Sequence, residues 1–202
     1  MCGIAGFMAA PGKNPDPRAL EKMQRVLAHR GPDGEGQWVA DDVALAQTRL
    51  AIIDLATGDQ PIVAPDRQAA LGANGEIYNY IELRAGLADV AFRTGSDCEP
   101  PLHLYLREGP EFVRHLRGMY ALAIHDRAKK RLVLARDPFG IKPLYYAETD
   151  AGLAFASEIQ ALVAGGIVAP RLDPDARDEA LELQFGTGRR TLLAGAFRVP
   201  PG

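Results

Sequence analysis

The second residue of the chain is a cysteine, in Met1-Cys2-Gly3-Ile4. With Met1 removed, Cys2 would carry a thiol nucleophile and a free α-amine on one amino acid. Such an amine has an ordinary pKa of about 7.7–8.0, so part of it is neutral near pH 7 and able to take the thiol proton. Gly3 puts no side chain in the way of a substrate. Alone, Met-Cys is an ordinary start, because thiol reactivity needs a specific microenvironment. An amide substrate also needs donors for its tetrahedral oxyanion, and the Asn74 amide and the Gly75 N–H are two that can converge. If the substrate is a free amino acid, its α-carboxylate needs a cation. Arg49, placed against an apolar run, is the candidate. The α-ammonium needs an anion, Asp97 or Glu76. Cys98 lies beside Asp97 but has no α-amine, and it reads as a small core residue.

Composition narrows the classes. The chain has 202 residues, 47% of them hydrophobic, and a net charge of -3, which suits one substantial globular domain and not a nucleic-acid or anionic-membrane binder. No apolar run approaches the roughly 20 residues of a membrane span, and the N-terminus lacks the pattern of a secretory signal. Two cysteines make no disulfide framework, so a reducing cytoplasm is the simpler context. The four histidines (His29, His103, His115, His125) are scattered, and no spacing suggests a metal site.

The elements that must position these residues follow from patterning. Residues 3–8 form a short buried strand. Asp16-Pro17 opens a helix whose apolar period runs to about Ala28. The glycine-rich segment 29–36 is a structured turn in which Arg30 and Asp33 are bracing charges. Strands are expected at 37–39, 43–47, 62–63 and 69–73. Asn74-Gly75 then reads either as a tight hairpin turn or as the donor pair above. Helices are expected at 81–87, 100–108, 110–116 and 174–183, with another opening at Ser157-Glu158. Asp97 is also a candidate N-cap. Hairpins join 119–126 to 131–136 and 144–147 to 153–156. Many hairpin-connected strands with helices grouped between them make an α+β protein with antiparallel sheets.

The order of these motifs carries a resemblance. Met1-Cys2-Gly3-Ile4, Arg30-Gly31-Pro32-Asp33, Thr48-Arg49-Leu50-Ala51-Ile52, Asn74-Gly75-Glu76-Ile77-Tyr78-Asn79 and Thr94-Gly95-Ser96-Asp97 come first. Arg136-Asp137-Pro138-Phe139-Gly140-Ile141-Lys142-Pro143 and Ala156-Ser157-Glu158-Ile159 follow, and Arg198-Val199-Pro200-Pro201-Gly202 closes the chain. Together they resemble the glutaminase domain of class II glutamine amidotransferases, among the N-terminal-nucleophile hydrolases, and within that group the asparagine synthetase type. The resemblance runs from Cys2 to Gly202.

It implies a four-layer αββα sandwich and a set of roles. Cys2 would attack the side-chain amide of L-glutamine, with Asn74 and Gly75 holding the oxyanion. Arg49 would bind the α-carboxylate, and the backbone of Leu50, Ala51, Ile52 and Ile53 would line the pocket. Glu76 and Asp97 would hold the ammonium, and residues 30–34 would support the wall. It implies no cofactor in this domain. ATP and magnesium belong to a synthetase domain or subunit that would receive the ammonia.

The expected division is a core at 2–165 and a C-terminal extension at 166–202 leading toward that domain. No Ser-Gly-Gly-x-Asp-Ser loop is present, so the chain reads as a separate glutaminase domain, compatible with a homodimer. Two rival readings remain. One is a free-standing amidase of the same fold, and the other is a non-catalytic module for assembly or regulation. Pro100-Pro101 replaces apolar residues expected there. His125 stands where an aromatic is common and is read as a surface or sheet variation.

Overall fold

Alternation along the strands decides the architecture in this computed structural model, which describes residues 1–202. In β1 (Gly3–Ala9), Ile4 faces one way and Ala5 and Phe7 the other, and both faces are buried. β3 (Val43–Arg49) repeats this: Val43 and Leu45 share a core with Ile4, while Ala44 and Ala46 pack with Ala5 and Phe7. Strands buried on both faces require a layer on each side.

On one side lie α1 (Pro17–Val26) and α4 (Ile159–Ala164), which contribute Leu20, Met23, Ala161 and Leu162. The Asp16 carboxylate accepts from Arg18 N at 2.9 Å, with Pro17 at the first turn, so α1 starts as its sequence predicts. On the other side lies a second sheet. β5 (Ala69–Ile77) and β6 (Gly118–Asp126) turn Ala70, Ala121 and Ala123 toward Ile4 and Leu45. Their opposite face carries Leu71, Ile77, Tyr120 and Leu122 and is covered by α3 (Glu99–Glu108), through Leu102 and Tyr105.

The layers are therefore helix, sheet, sheet, helix, as the resemblance implies. The remaining strands are β2 (Gly34–Ala40), β4 (Ile62–Val63), β7 (Arg131–Arg136), β8 (Tyr145–Thr149), β9 (Gly152–Ala156) and β10 (Phe197–Arg198). The first sheet runs β10-β8-β9-β1-β3-β2 and the second β4-β5-β6-β7, every pairing antiparallel. Two further helices, α2 (Tyr80–Gly86) and α5 (Pro174–Leu183), complete the chain.

Some expectations shift. Asn74 and Gly75 lie inside β5, opposite Ala121 and Tyr120, and make no hairpin turn. The glycines at 34 and 36 belong to β2. A Cβ at Gly36 would sit 2.0 Å from Gln60 O, so that glycine serves a close approach. Residues 109–115 wind as a 3-10 helix. In the 191–199 segment only Phe197–Arg198 is strand, because Thr191 Oγ1 donates to Leu193 O and Ala196 O and folds the chain over.

His125 lies in a sheet as expected but is no surface residue. It is 1% exposed, between the sheets, and accepts from Trp38 Nε1 at 3.1 Å through Nδ1. Burial pulls its pKa below the ordinary 6.5, against the opposing pull of Asp42 and Asp41. The unfolded chain therefore binds this proton more readily, and stability is lost as pH falls below about 6.5. The melting temperature of wild type should fall more steeply than that of His125→Phe between that pH and about pH 5. Parallel slopes would refute the assignment.

Candidate active site

The register of β1 on β3 sets Gly3 against Thr48, so the next pair along the ladder is Cys2 and Arg49. The Cys2 sulfur comes to rest on the backbone of Leu50, accepting from its N–H at 3.4 Å and lying 3.6 Å from its carbonyl. The Cys2 carbonyl accepts from Arg30 Nε at 2.9 Å. Arg30 Nη1 reaches Glu158 Oε1 at 2.7 Å, and His29 Nε2 meets the same oxygen at 3.0 Å. Burial alone would raise the Glu158 pKa. The hydrogen bonds from Arg30 and His29 outweigh it and hold the acid below its usual range. A buried, charge-paired arginine thus fixes the Cys2–Gly3 peptide. Asp33 acts as the second brace, its Oδ2 accepting from Ala51 N at 2.9 Å.

Around the sulfur lies a cavity of about 30 Å³, little more than the space of one water. Cys2, Arg49, Leu50, Ile52, Ile53, Gly75, Glu76 and Asp97 all line it. Residues from three separate stretches of sequence therefore meet at the Cys2 sulfur. Ala51 and Asn74 are outside the lining. A broader open groove of about 720 Å³, beside Arg30, Tyr145 and Ile159, contains no cysteine.

β5 supplies the polar groups. Its even-numbered residues pair with β6, so its odd-numbered N–H groups point to the opposite edge. β4 covers that edge only as far as Leu71. Ala73 N then donates to Gln60 Oε1 at 2.6 Å and Ile77 N to Asp97 Oδ2 at 2.7 Å. Gly75 N–H lies between them on the same edge, and no loop carbonyl or side chain accepts from it. Asn74 is 1% exposed, and both its amide nitrogen and its amide oxygen are buried without a partner. Orphaned buried groups of this kind are rare and costly, and they mark a place where a ligand can supply the missing bonds.

The two acids are also uncomfortable. Burial raises the Asp97 pKa against the hydrogen bond from Ile77 N. Burial raises that of Glu76 too, with repulsion from Asp97 adding to it and Lys142 opposing. A bound cation would relieve both. Cys98 shares the cavity, but burial first, and then nearby Asp97, push its thiol well above the ordinary value. It remains a protonated core residue, its sulfur 3.8 Å from Gly75 O. Asp97 does not cap α3; Cys98 N donates instead to Ser96 Oγ at 3.1 Å.

Arg49 is gripped on several sides. Nη1 donates to Asp59 Oδ1 at 2.9 Å, and Nη2 to the carbonyls of Ile53 and Asp54. A Cβ at Gly58 would lie 2.8 Å from the backbone Asp54 O as well as 2.5 Å from Nη2, so that position needs glycine. No sequence motif singles out Gly58, Asp59 or Gln60; their one signal is their position in the loop following Arg49.

Comparison with known proteins agrees with this geometry. The pattern of the glutamine amidotransferase domain family matches residues 1–202. Asparagine synthetase [glutamine-hydrolyzing] 2 of Bacillus subtilis is 44% identical over 165 residues, 80% of this chain and 22% of that protein. Asparagine synthetase B [glutamine-hydrolyzing] of Escherichia coli is 45% identical over 148 residues, 72% of this chain and 26% of that protein. Amidase chry2 of Gibberella zeae is 37% identical over 218 residues, covering 100% of this chain and 32% of that protein. The chain thus spans less than a third of these relatives. Among solved structures, glutamine phosphoribosylpyrophosphate amidotransferase from B. subtilis, complexed with ADP and GMP, superimposes with a TM-score of 0.69. It is 23% identical, covering 82% of this chain and 44% of that one, and it shows the shared fold. By the match along its whole length, this chain belongs to the glutamine amidotransferase domain family.

Proposed function

We propose that the chain is the glutamine-hydrolysing domain of an asparagine synthetase-type enzyme, releasing ammonia for a synthetase partner. The observation that carries this reading is the meeting of the Cys2 sulfur, the unpartnered Gly75 N–H, Arg49, Glu76 and Asp97 around one cavity. Arg49 binds the α-carboxylate of glutamine, and Glu76 and Asp97 bind its α-ammonium. The backbone of Leu50, Ala51, Ile52 and Ile53 walls the side chain toward the sulfur.

Removal of Met1, which is 56% exposed, frees the Cys2 α-amine. That amine takes the thiol proton as sulfur bonds to the amide carbon. Negative charge moves onto the amide oxygen, held by Gly75 N–H and the Asn74 amide, a contribution of about 10²–10³ in rate per donor. The C–N bond breaks as the amine returns its proton to nitrogen, and ammonia leaves. Water, deprotonated by the same amine, attacks the thioester, and glutamate departs with the thiol restored.

We read 2–165 as the core and 166–202 as the extension toward the synthetase part, where ATP and magnesium would act. A second reading, an amidase with another substrate, draws on the full-length match to amidase chry2. The pairing of Arg49 with two acids favours a free amino acid.

Three outcomes are expected. Cys2→Ala, in protein whose loss of Met1 is verified by intact mass, should abolish glutamine hydrolysis and keep the melting temperature. Residual turnover would sink the mechanism. Arg49→Ala should raise KM for glutamine about ten- to hundred-fold, since a hydrogen bond to a charged group contributes about 1.5–3 kcal/mol. A loss confined to kcat would contradict its role. Because Glu76 and Asp97 protonate at a higher pH than ordinary carboxylates, KM should climb on acidification while typical acids are still ionised. A KM that begins to rise only where ordinary carboxylates protonate would refute the ammonium site.

A further inference from the structure

The Arg49 side chain is 8% exposed, while the Asp59 side chain bound to it is 87% exposed. A buried cation without an anion is costly, and the folded chain supplies one. It does so through a single bond, Nη1 to Asp59 Oδ1 at 2.9 Å. Nη2 is already engaged by the carbonyls of Ile53 and Asp54. The neighbouring acids are anchored elsewhere: Asp54 accepts from Thr57 N, Thr57 Oγ1 and Gly95 N, and Asp33 accepts from Ala51 N. Asp59 has no hydrogen-bond partner but Arg49, so its carboxylate can turn out to water without stranding any other donor.

We propose that Asp59 is a built-in stand-in for the substrate's α-carboxylate: it occupies Arg49 in the free domain, is displaced by glutamine, and so sets the affinity for glutamine. This rests on the reading of Arg49 as the carboxylate site. Glutamine brings its own carboxylate to Nη1, and one charge-assisted bond replaces another, so only the surplus appears as affinity. An amide without an α-carboxylate has no anion to offer Arg49 and cannot make the exchange.

The test compares wild type with Asp59→Ala and Asp59→Asn, all freed of Met1. KM and kcat are measured for L-glutamine, and a calorimetric Kd for L-glutamate, which needs no turnover. Both KM and Kd should fall about two- to five-fold in Asp59→Ala, in line with the modest strength of partly exposed ion pairs. The fall should be smaller in Asp59→Asn, which keeps an oxygen for Nη1, and in both variants KM should move more than kcat. L-glutaminamide, which lacks the α-carboxylate, should gain nothing. An unchanged or raised KM and Kd in Asp59→Ala, or an equal gain for L-glutaminamide, overturns the proposal. Arg49→Ala in the same series separates the two readings. If it weakens neither ligand, the carboxylate site itself is wrong and the role of Asp59 falls with it. If it weakens both while Asp59→Ala gains nothing, Asp59 alone is wrong.

Discussion

One backbone register underlies the rest of the molecule. With Gly3 set against Thr48, Cys2 lands on the segment that carries Arg49 and Leu50. A slip of one residue would turn Ile4 out of the core between the sheets and Ala5 into it, so burial on both faces of β1 holds the pairing. The strand is central as well, with β3 on one edge and β9 on the other. Beyond Ala5–Ala156, the last pair of the β1–β9 ladder, the pinning continues. Ile4 N donates to Ser157 Oγ at 3.0 Å, its carbonyl accepts from Ser157 N at 2.8 Å, and the Cys2 carbonyl takes Arg30. Each backbone group named here has a partner, and the sulfur is left to line the cavity.

The second sheet does the opposite and leaves groups unpaired. β4 is two residues long, so β5 passes its end with a bare edge. Gln60 and Asp97 fill two of the exposed N–H positions, and Gly75 between them stays open. The orphaned Asn74 amide and the two raised acids add to the cost. An unsatisfied buried polar group costs about 1–3 kcal/mol, and a fold keeps several together only where the surrounding structure over-determines them. Here two packed cores, one on each face of the second sheet, supply that support. The pinned cysteine and the unsatisfied polar groups are thus contributions of different sheets, meeting across the sandwich.

Charge follows the same division. Arg30 and Glu158 are a closed pair that holds the chain terminus. Arg49 and Asp59 are an open pair, one partner buried and one in water. The first geometry suits a fixed support and the second an exchangeable one, because only the second can trade its anion without exposing a desolvated charge.

The amino-acid order by itself singled out the candidate groups and the class of fold. A cysteine behind a single methionine, an Arg, an Asn-Gly-Glu and an Asp in sequence named the groups, and hairpin spacing named the antiparallel sheets. Those signals are local: residue type, two-residue alternation and capping act over a few positions. What sequence left open was decided by packing at long range. Asn74-Gly75 reads locally as a hairpin, yet pairing with β6 extends both and turns a turn signal into a free donor at a sheet edge. His125 reads as a surface or sheet variation, and its burial stays hidden because nothing nearby reveals Trp38, 87 residues away, closing over it from the other sheet. No local pattern marks Asp59, since its meaning depends on the burial of Arg49. In each case the deciding quantity is desolvation by residues distant in sequence. No local pattern encodes it, and it exists only once the two sheets have closed.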